Sequence, residues 1–194
     1  MKRILIVATV IIMALGFVSC AEQTPDPVTA INEYLDSYKG ADGKAAAILL
    51  GSESVQRAIA DYPELGELFE KAASEYVRNM EFIVDESESI VDEKAGVATF
   101  AVILNTLDYE SLVYTTEQQL DEWIDDFVTS GEFIYPTDEE QLTKNAELLV
   151  EIMQQQQIER VNFKYSIDLK FDKKTNTWNV TNPDEIMKNF AFMR

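Results

Sequence analysis

The chain has 194 residues, of which 35 are acidic, 16 basic and none histidine, giving a formal net charge of −19. A surface of that sign repels polyanions and argues against nucleic acid as a partner, while the lack of histidine removes Ser-His and Cys-His triads, the commonest zinc ligand and the ordinary base near neutral pH. The single cysteine leaves no internal disulfide, so the fold has to be held by packing alone.

In chain order, Lys2 and Arg3 precede an uncharged stretch of 15 residues, 4–18, the layout of a secretory signal. A helix that crosses a bilayer takes about 20 apolar residues, so a permanent transmembrane anchor is the weaker reading. Phe17-Val18-Ser19-Cys20 resembles a bacterial lipobox, with Phe17 where leucine is commoner. The resemblance implies diacylglycerol in thioether linkage to Cys20 and cleavage just before it; cleavage by the ordinary signal peptidase, leaving a free thiol, is the alternative. The chain then divides into a signal peptide at 1–19, a lipidated cysteine with a short tether at 20–27, and one domain at 28–194. Acyl chains such as palmitate stabilise anchoring by about 0.8 kcal/mol per buried CH₂, and two of them suffice to hold a protein at a membrane. The expected location is the extracytoplasmic side of a cell membrane or outer membrane. Loss of Lys2 and Arg3 with the signal takes the net charge of −19 to −21, so contact with anionic headgroups is expected through the anchor and not through the protein face.

Asp26-Pro27 is a capping acid followed by proline at the first helical position, and Val28, Ile31, Leu35 and Tyr38 recur on one helical face. Residues 39–43 break that helix. A short Ala-rich helix follows at 44–50, then a weaker one at 52–60 with Ser52 as its cap. Pro63 opens a further helix, in which Leu65, Leu68, Phe69, Ala72 and Tyr76 form a core-facing stripe. The period then changes to two, with Met80, Phe82 and Val84 alternating against Glu81 and Asp85, a turn at 92–96 and a second strand at 97–104. That second strand is apolar on both faces, which predicts a central strand covered on both sides.

Two helices are expected next, each opened by a capping box: Thr116 with Gln119, and Thr137 with Glu140. The first carries Leu120, Trp123, Ile124, Phe127 and Val128 and ends at Gly131. The second buries Leu142, Ala146, Leu149 and Met153 and runs to about Gln157. Val161, Phe163, Tyr165, Ile167, Leu169 and Phe171 then alternate without a break against Asn162, Lys164, Ser166, Asp168 and Lys170, giving a strand with one core face and one wet face. A turn at 173–176 leads to a partner strand with Trp178 and Val180 inward, and Asn182-Pro183 caps a last helix carrying Ile186, Met187 and Phe190.

This order predicts an α+β fold, an antiparallel sheet of two hairpins and about four strands with helices on one face, cone-like in shape. Over residues 26–190 the element order, together with the segment 170–180, resembles the cone-shaped nuclear transport factor 2-like folds, bacterial lipoproteins of that type among them. The extra helix pair between the hairpins departs from that pattern, and a cystatin-like helix-plus-sheet arrangement is a close alternative.

No glycine-rich phosphate loop and no calcium-loop spacing occurs, and the cysteine is committed to lipid, so neither a metal nor a cofactor is expected. Some enzymes of the resembled fold place an aspartate and a tyrosine inside the cone, which makes Tyr109, Tyr114, Tyr165 and Asp168 the candidates for proton transfer. Alternation sets Tyr165 and Asp168 on opposite faces of their strand. Asp121, Glu122, Asp125 and Asp126 form like-charge pairs on one helix, each costing a few tenths of a kcal/mol; they read as a solvated face, or as a collector of cations or a basic partner. The segment 131–136 puts Phe133, Ile134 and Tyr135 where a loop is normally polar. With Trp123 and Phe127 nearby in sequence, Trp123, Phe127, Phe133 and Tyr135 are the candidate contacts for a small apolar ligand or a protein partner, the alternative being a loop folded down into the core. The function expected is therefore a non-catalytic binding module at the cell envelope. Its rivals are a carboxylate and tyrosine enzyme and a structural envelope component.

Overall fold

The structure, a computed structural model, describes residues 24–130, 134–156 and 158–186. The first helix, α1 (Pro27–Asp36), starts where the sequence places it: the Asp26 carboxylate accepts a hydrogen bond of 2.9 Å from the Val28 N–H. Ile31, Leu35 and Tyr38 are buried on its core side. Two short helices follow, α2 (Lys44–Leu50) and α3 (Glu53–Asp61). Pro63 opens only a single 3-10 turn, Pro63–Leu65, and the α-helix proper is α4 (Gly66–Arg78), which buries Ala72, Ala73, Tyr76 and Val77.

Four strands form one antiparallel sheet in the order β1 (Glu81–Asp92), β2 (Val97–Leu107), β3 (Arg160–Asp172), β4 (Thr177–Val180). Between β2 and β3 the chain leaves the sheet for the helical pair α5 (Tyr109–Ser130) and α6 (Asp138–Gln154). The class is the expected one: α+β, with six α-helices among the described residues and helices packed on the sheet. Ala98, Phe100, Val102 and Leu104 of β2 and Tyr165, Ile167 and Leu169 of β3 make the sheet's half of the core.

Three further expectations change. β2 is central, but only its even-numbered side is buried, while Thr99, Ala101 and Ile103 opposite are half-buried. Their apolar character reflects shielding by flanking strands, since β2 pairs with β1 on one side and β3 on the other, and not a second helical layer. Thr116 does not cap a helix: α5 begins seven residues earlier at Tyr109. The Ser111 hydroxyl donates to Asp108 at 2.6 Å and the Leu112 N–H to the Asp108 carbonyl at 2.9 Å, so Asp108 holds the first turn. Thr116, buried within the helix, donates its hydroxyl to the Leu112 carbonyl one turn back at 2.7 Å, the alternative backbone partner that threonine uses inside helices. Asn182, finally, binds the sheet: its side chain accepts from the Asp168 N–H and donates to the Ser166 carbonyl, both at 2.8 Å. Ile186 is fully buried, while Met187 and Phe190 lie outside the described residues.

The capping box at Thr137 and Glu140 is present in full. Along α6 the buried set is Ala146, Leu148, Val150, Ile152 and Met153, wider than one stripe, because α6 packs against both α4 and α5.

The sheet has two distinct ends. At one, the β1–β2 turn is closed by Asp92, whose carbonyl accepts from the Gly96 N–H and whose carboxylate accepts from the Ala95 N–H, both at 2.9 Å, with Gly96 at a φ of +67°. The Phe171 N–H donates to the Gly96 carbonyl at 2.9 Å, which sets the β3–β4 turn beside the β1–β2 turn. At the other end, the Tyr76 hydroxyl reaches the Leu107 carbonyl at 3.4 Å, and the Arg160 guanidinium holds the Asn79 carbonyl at 2.6 Å and the side chain of Asn105. Helix α1 runs between the ends. The Trp178 indole N–H donates to the Pro25 carbonyl at 2.7 Å near the turns, and the Tyr38 ring lies 6.0 Å from that of Phe82 towards the far end.

Phe100→Ala is expected to cost about 3–5 kcal/mol in urea unfolding, as for a fully buried aromatic, whereas Ile83→Ala on the exposed side of β1 costs no more than about 1 kcal/mol.

A candidate apolar site in the helical layer

Two short alanine-bearing segments, α2 and the middle of α4, pack against each other, and α6 lies against α4. Small side chains at Ala72 and Ala73 leave space that Phe69 and Tyr76 on the same helix do not fill. The result is a cavity of about 120 Å³ lined by Leu49, Leu50, Val55, Phe69, Ala72, Ala73, Tyr76, Tyr109, Leu112, Leu149 and Met153, with Ser52 and Ser54 its hydroxyl-bearing neighbours. Helix α3, which contributes Val55 and Ser54 to the rim, buries none of its own residues. An apolar cavity of roughly 150 Å³ is known to stay dry and accept benzene or xenon, so the size suits a small ring or a short segment of acyl chain. It is below the roughly 300–1,000 Å³ of a drug-sized site.

Two phenols stand at the sheet side of this cavity. The rings of Tyr76 and Tyr109 meet edge to face, 6.3 Å between centroids at 88°. Burial pushes the Tyr76 hydroxyl up from 10.0 to about 12, with the Thr106 hydroxyl pulling the other way and Tyr109, Asp108 and Tyr165 adding to the rise. Burial also raises Tyr109. Both are therefore neutral donors at ordinary pH.

A second polar cluster closes the C-terminal segment onto α1. The Tyr34 hydroxyl donates to the Pro183 carbonyl at 2.7 Å, and that of Tyr38 lies 3.1 Å from it and 3.2 Å from the same carbonyl. The Lys44 ammonium sits 5.2 Å and 5.1 Å from the two ring centroids, a cation–π arrangement. Burial is the first cause that raises both phenols, and the charge of Asp184 adds to it. With their hydroxyls committed to a backbone carbonyl, these tyrosines clamp the chain.

The residues singled out from the sequence fall elsewhere. Trp123 and Phe127 are half-buried on α5 with ring centroids 5.4 Å apart. Trp123 faces Glu139, Glu140, Thr143, Lys144 and Glu147 of α6 across a shallow cleft. Tyr135 and Ile134 stand 72% and 62% exposed and do not plug the core. Phe133 and Cys20 lie outside the described residues. Tyr165 is buried and Asp168 exposed, on opposite faces of β3, where Asp168 accepts from the Thr99 hydroxyl at 2.7 Å. Tyr114 is exposed and receives a hydrogen bond of 2.6 Å from Gln118. Among the described residues no cluster of three or more metal-ligating side chains forms, and no helix is long and apolar enough to cross a membrane. The lining of the cavity was missed in the sequence because Phe69, Ala72 and Tyr76 read simply as core. The available signal was the Ala72-Ala73 pair inside a stripe of large residues.

The fold defines an α+β protein with an open antiparallel sheet. No family model and no curated protein matches the chain. Among solved structures, the crystal structure of a candidate lipoprotein from Bacillus subtilis is similar at a TM-score of 0.47 and 12% identity, over 75% of this chain and 42% of that one. The chain thus spans less than half the length of that protein.

Because the folded pKa of Tyr76 lies above the unfolded value, its stabilising contribution is whole below pH 10.0 and is lost as pH rises through about 12. Urea unfolding across that window is expected to show a decline that Tyr76→Phe reduces.

Proposed function

We propose that the protein is a membrane-anchored extracytoplasmic lipoprotein whose globular domain binds, without catalysis, a small apolar ligand or a protein partner. The observation that carries the anchor is the run from Lys2 to Cys20: a basic start, 15 uncharged residues and the lipobox-like Phe17-Val18-Ser19-Cys20. The domain begins soon afterwards, with Pro25 already hydrogen-bonded to Trp178. In this reading Cys20 carries the lipid and the globule is tethered by a handful of residues. The cone-shaped, nuclear transport factor 2-like kinship belongs to the same proposal and rests on element order.

The cavity between α2, α4, α5 and α6 supports the ligand half of the reading. Its walls are apolar, its polar groups are a few hydroxyls, and the thinly packed α3 at its rim supplies a route of entry. Neutral phenols at Tyr76 and Tyr109 favour holding a guest over abstracting a proton from one. The exposed Ile134 and Tyr135, next in the chain to α6 and near the Trp123 cleft, support a protein partner as the second occupant class.

Two experiments test the proposal. Cys20→Ser is expected to move the protein from the membrane to the soluble fraction; a variant that stays with the membrane overturns the anchor. Saturating benzene is expected to raise the melting temperature of the parent chain and to leave that of Ala73→Phe, in which the ring fills the cavity, unmoved. An equal response in both removes the cavity from the proposal and shifts the binding role to the Trp123 and Tyr135 surface.

A further inference from the structure

The proposed anchor and the hydrogen bond of Pro25 together orient the domain. This step rests on lipidation of Cys20. From that residue to Pro25 the chain has five peptide links, which reach about 18 Å at full extension. Pro25 is held by the Trp178 indole at 2.7 Å, and Trp178 pairs with Phe171, one rung from the β3–β4 turn. The Phe171 N–H in turn binds Gly96 of the β1–β2 turn. Neighbouring strands lie about 4.8 Å apart, so the whole turn end of the sheet spans about 15 Å. Pro25 therefore joins the domain at the turn end of the sheet, which the tether holds within about 18 Å of the lipid.

The chemistry of that end differs from the rest of this acidic protein. The two turns, residues 93–96 and 173–176, carry Lys94, Lys173 and Lys174 against Glu93 alone. Asp92 and Asp172 flank the turns, accepting from the Ala95 N–H at 2.9 Å and the Lys174 N–H at 2.8 Å, so this end sets three acids against three lysines, a balance that a chain of net charge −19 lacks as a whole. Large apolar side chains stand out beside the turn, Ile90 at 68% exposure, Val97 at 44% and Val91 at 43%. Pairing sets Ile90 opposite Thr99 on the open side of the sheet and Val91 opposite Ala98 on the helical side, so both sides of the hairpin tip are apolar.

α5 and α6 leave and rejoin the sheet at its far end, beside Leu107 and Arg160; α5 holds Glu110, Glu117, Asp121, Glu122, Asp125 and Asp126 with no basic residue, and α6 holds five acids with Lys144 alone. The length of β2 puts about 33 Å between the two ends of the sheet. We infer that the turn end of the sheet is a membrane-docking surface, with Ile90, Val91 and Val97 at the interface and Lys94, Lys173 and Lys174 on anionic phosphate headgroups. This replaces the expectation that only the lipid meets the bilayer.

The test uses the full lipidated chain, purified from membranes and reconstituted in vesicles of phosphatidylethanolamine and phosphatidylglycerol. With Cys20 acylated, a cysteine introduced by Thr175→Cys in the β3–β4 turn, or by Glu81→Cys at the far end of the sheet, where Glu81 pairs with Asn105, is the single free thiol and takes a fluorescent label. Headgroup-attached quencher is expected to quench the label at 175 several-fold more than the label at 81. The triple change Lys94→Glu, Lys173→Glu, Lys174→Glu is expected to bring the two values together. Equal quenching in a chain that floats with the vesicles, or no response to the triple change, overturns the docking surface and leaves the anchor in place. A chain that does not float overturns the anchor, and the orientation with it.

Discussion

The structure depends on one ladder. β2 and β3 pair without interruption from Val97 with Lys170 to Leu107 with Arg160, although 52 residues of other structure separate them in the chain. Closing so long an excursion costs conformational entropy before any contact offsets it. The offset comes from the side chains that the register aligns: Phe100 opposite Ile167 and Val102 opposite Tyr165, all buried against the helices. A slip of one residue would turn this entire set out to the open side. Everything else hangs from the ladder, since its ends fix where the turns, the α5–α6 pair and the clamp at Arg160 lie.

That arrangement gives the sheet two different ends. The turn end gathers the start of the domain, held by Trp178, and three lysines with exposed aliphatic neighbours. At the far end the helical pair leaves and rejoins the sheet, and there the Tyr76 hydroxyl meets the Leu107 carbonyl beside the cavity bounded by Ala72 and Ala73. The helical layer also explains why a cavity can persist: α3 buries nothing of its own, so the rim is held by fewer contacts than the sheet core, and regions of that kind open at low cost.

Much of the fold was legible because its strongest signals are local and periodic. The unbroken alternation from Val161 to Phe171, the capping box at Thr137 and the Asp26-Pro27 start each rest on short-range geometry, and each stands where the sequence placed it. The misreadings share a cause, which is tertiary context overriding a local pattern. Thr116 has the spacing of a cap but uses its hydroxyl within a longer helix. β2 is apolar on both sides because strands flank it. Pro63 starts a 3-10 turn before α4 takes over at Gly66. The candidate site was less legible. Trp123 and Phe127 do come together, being four residues apart on one helix, but the cavity is assembled from α2, α3, α4, α5 and α6, and no local pattern announces a space lined by residues from five helices.

The most direct test of a lipid-anchored binding module is the intact mass of the protein, extracted from its own membranes in mild detergent and sprayed under native conditions. The account predicts a chain that begins at Cys20 with a diacylglyceryl group on it, accompanied by a small apolar guest that leaves on activation. A chain with an unmodified Cys20 thiol and no guest would contradict it.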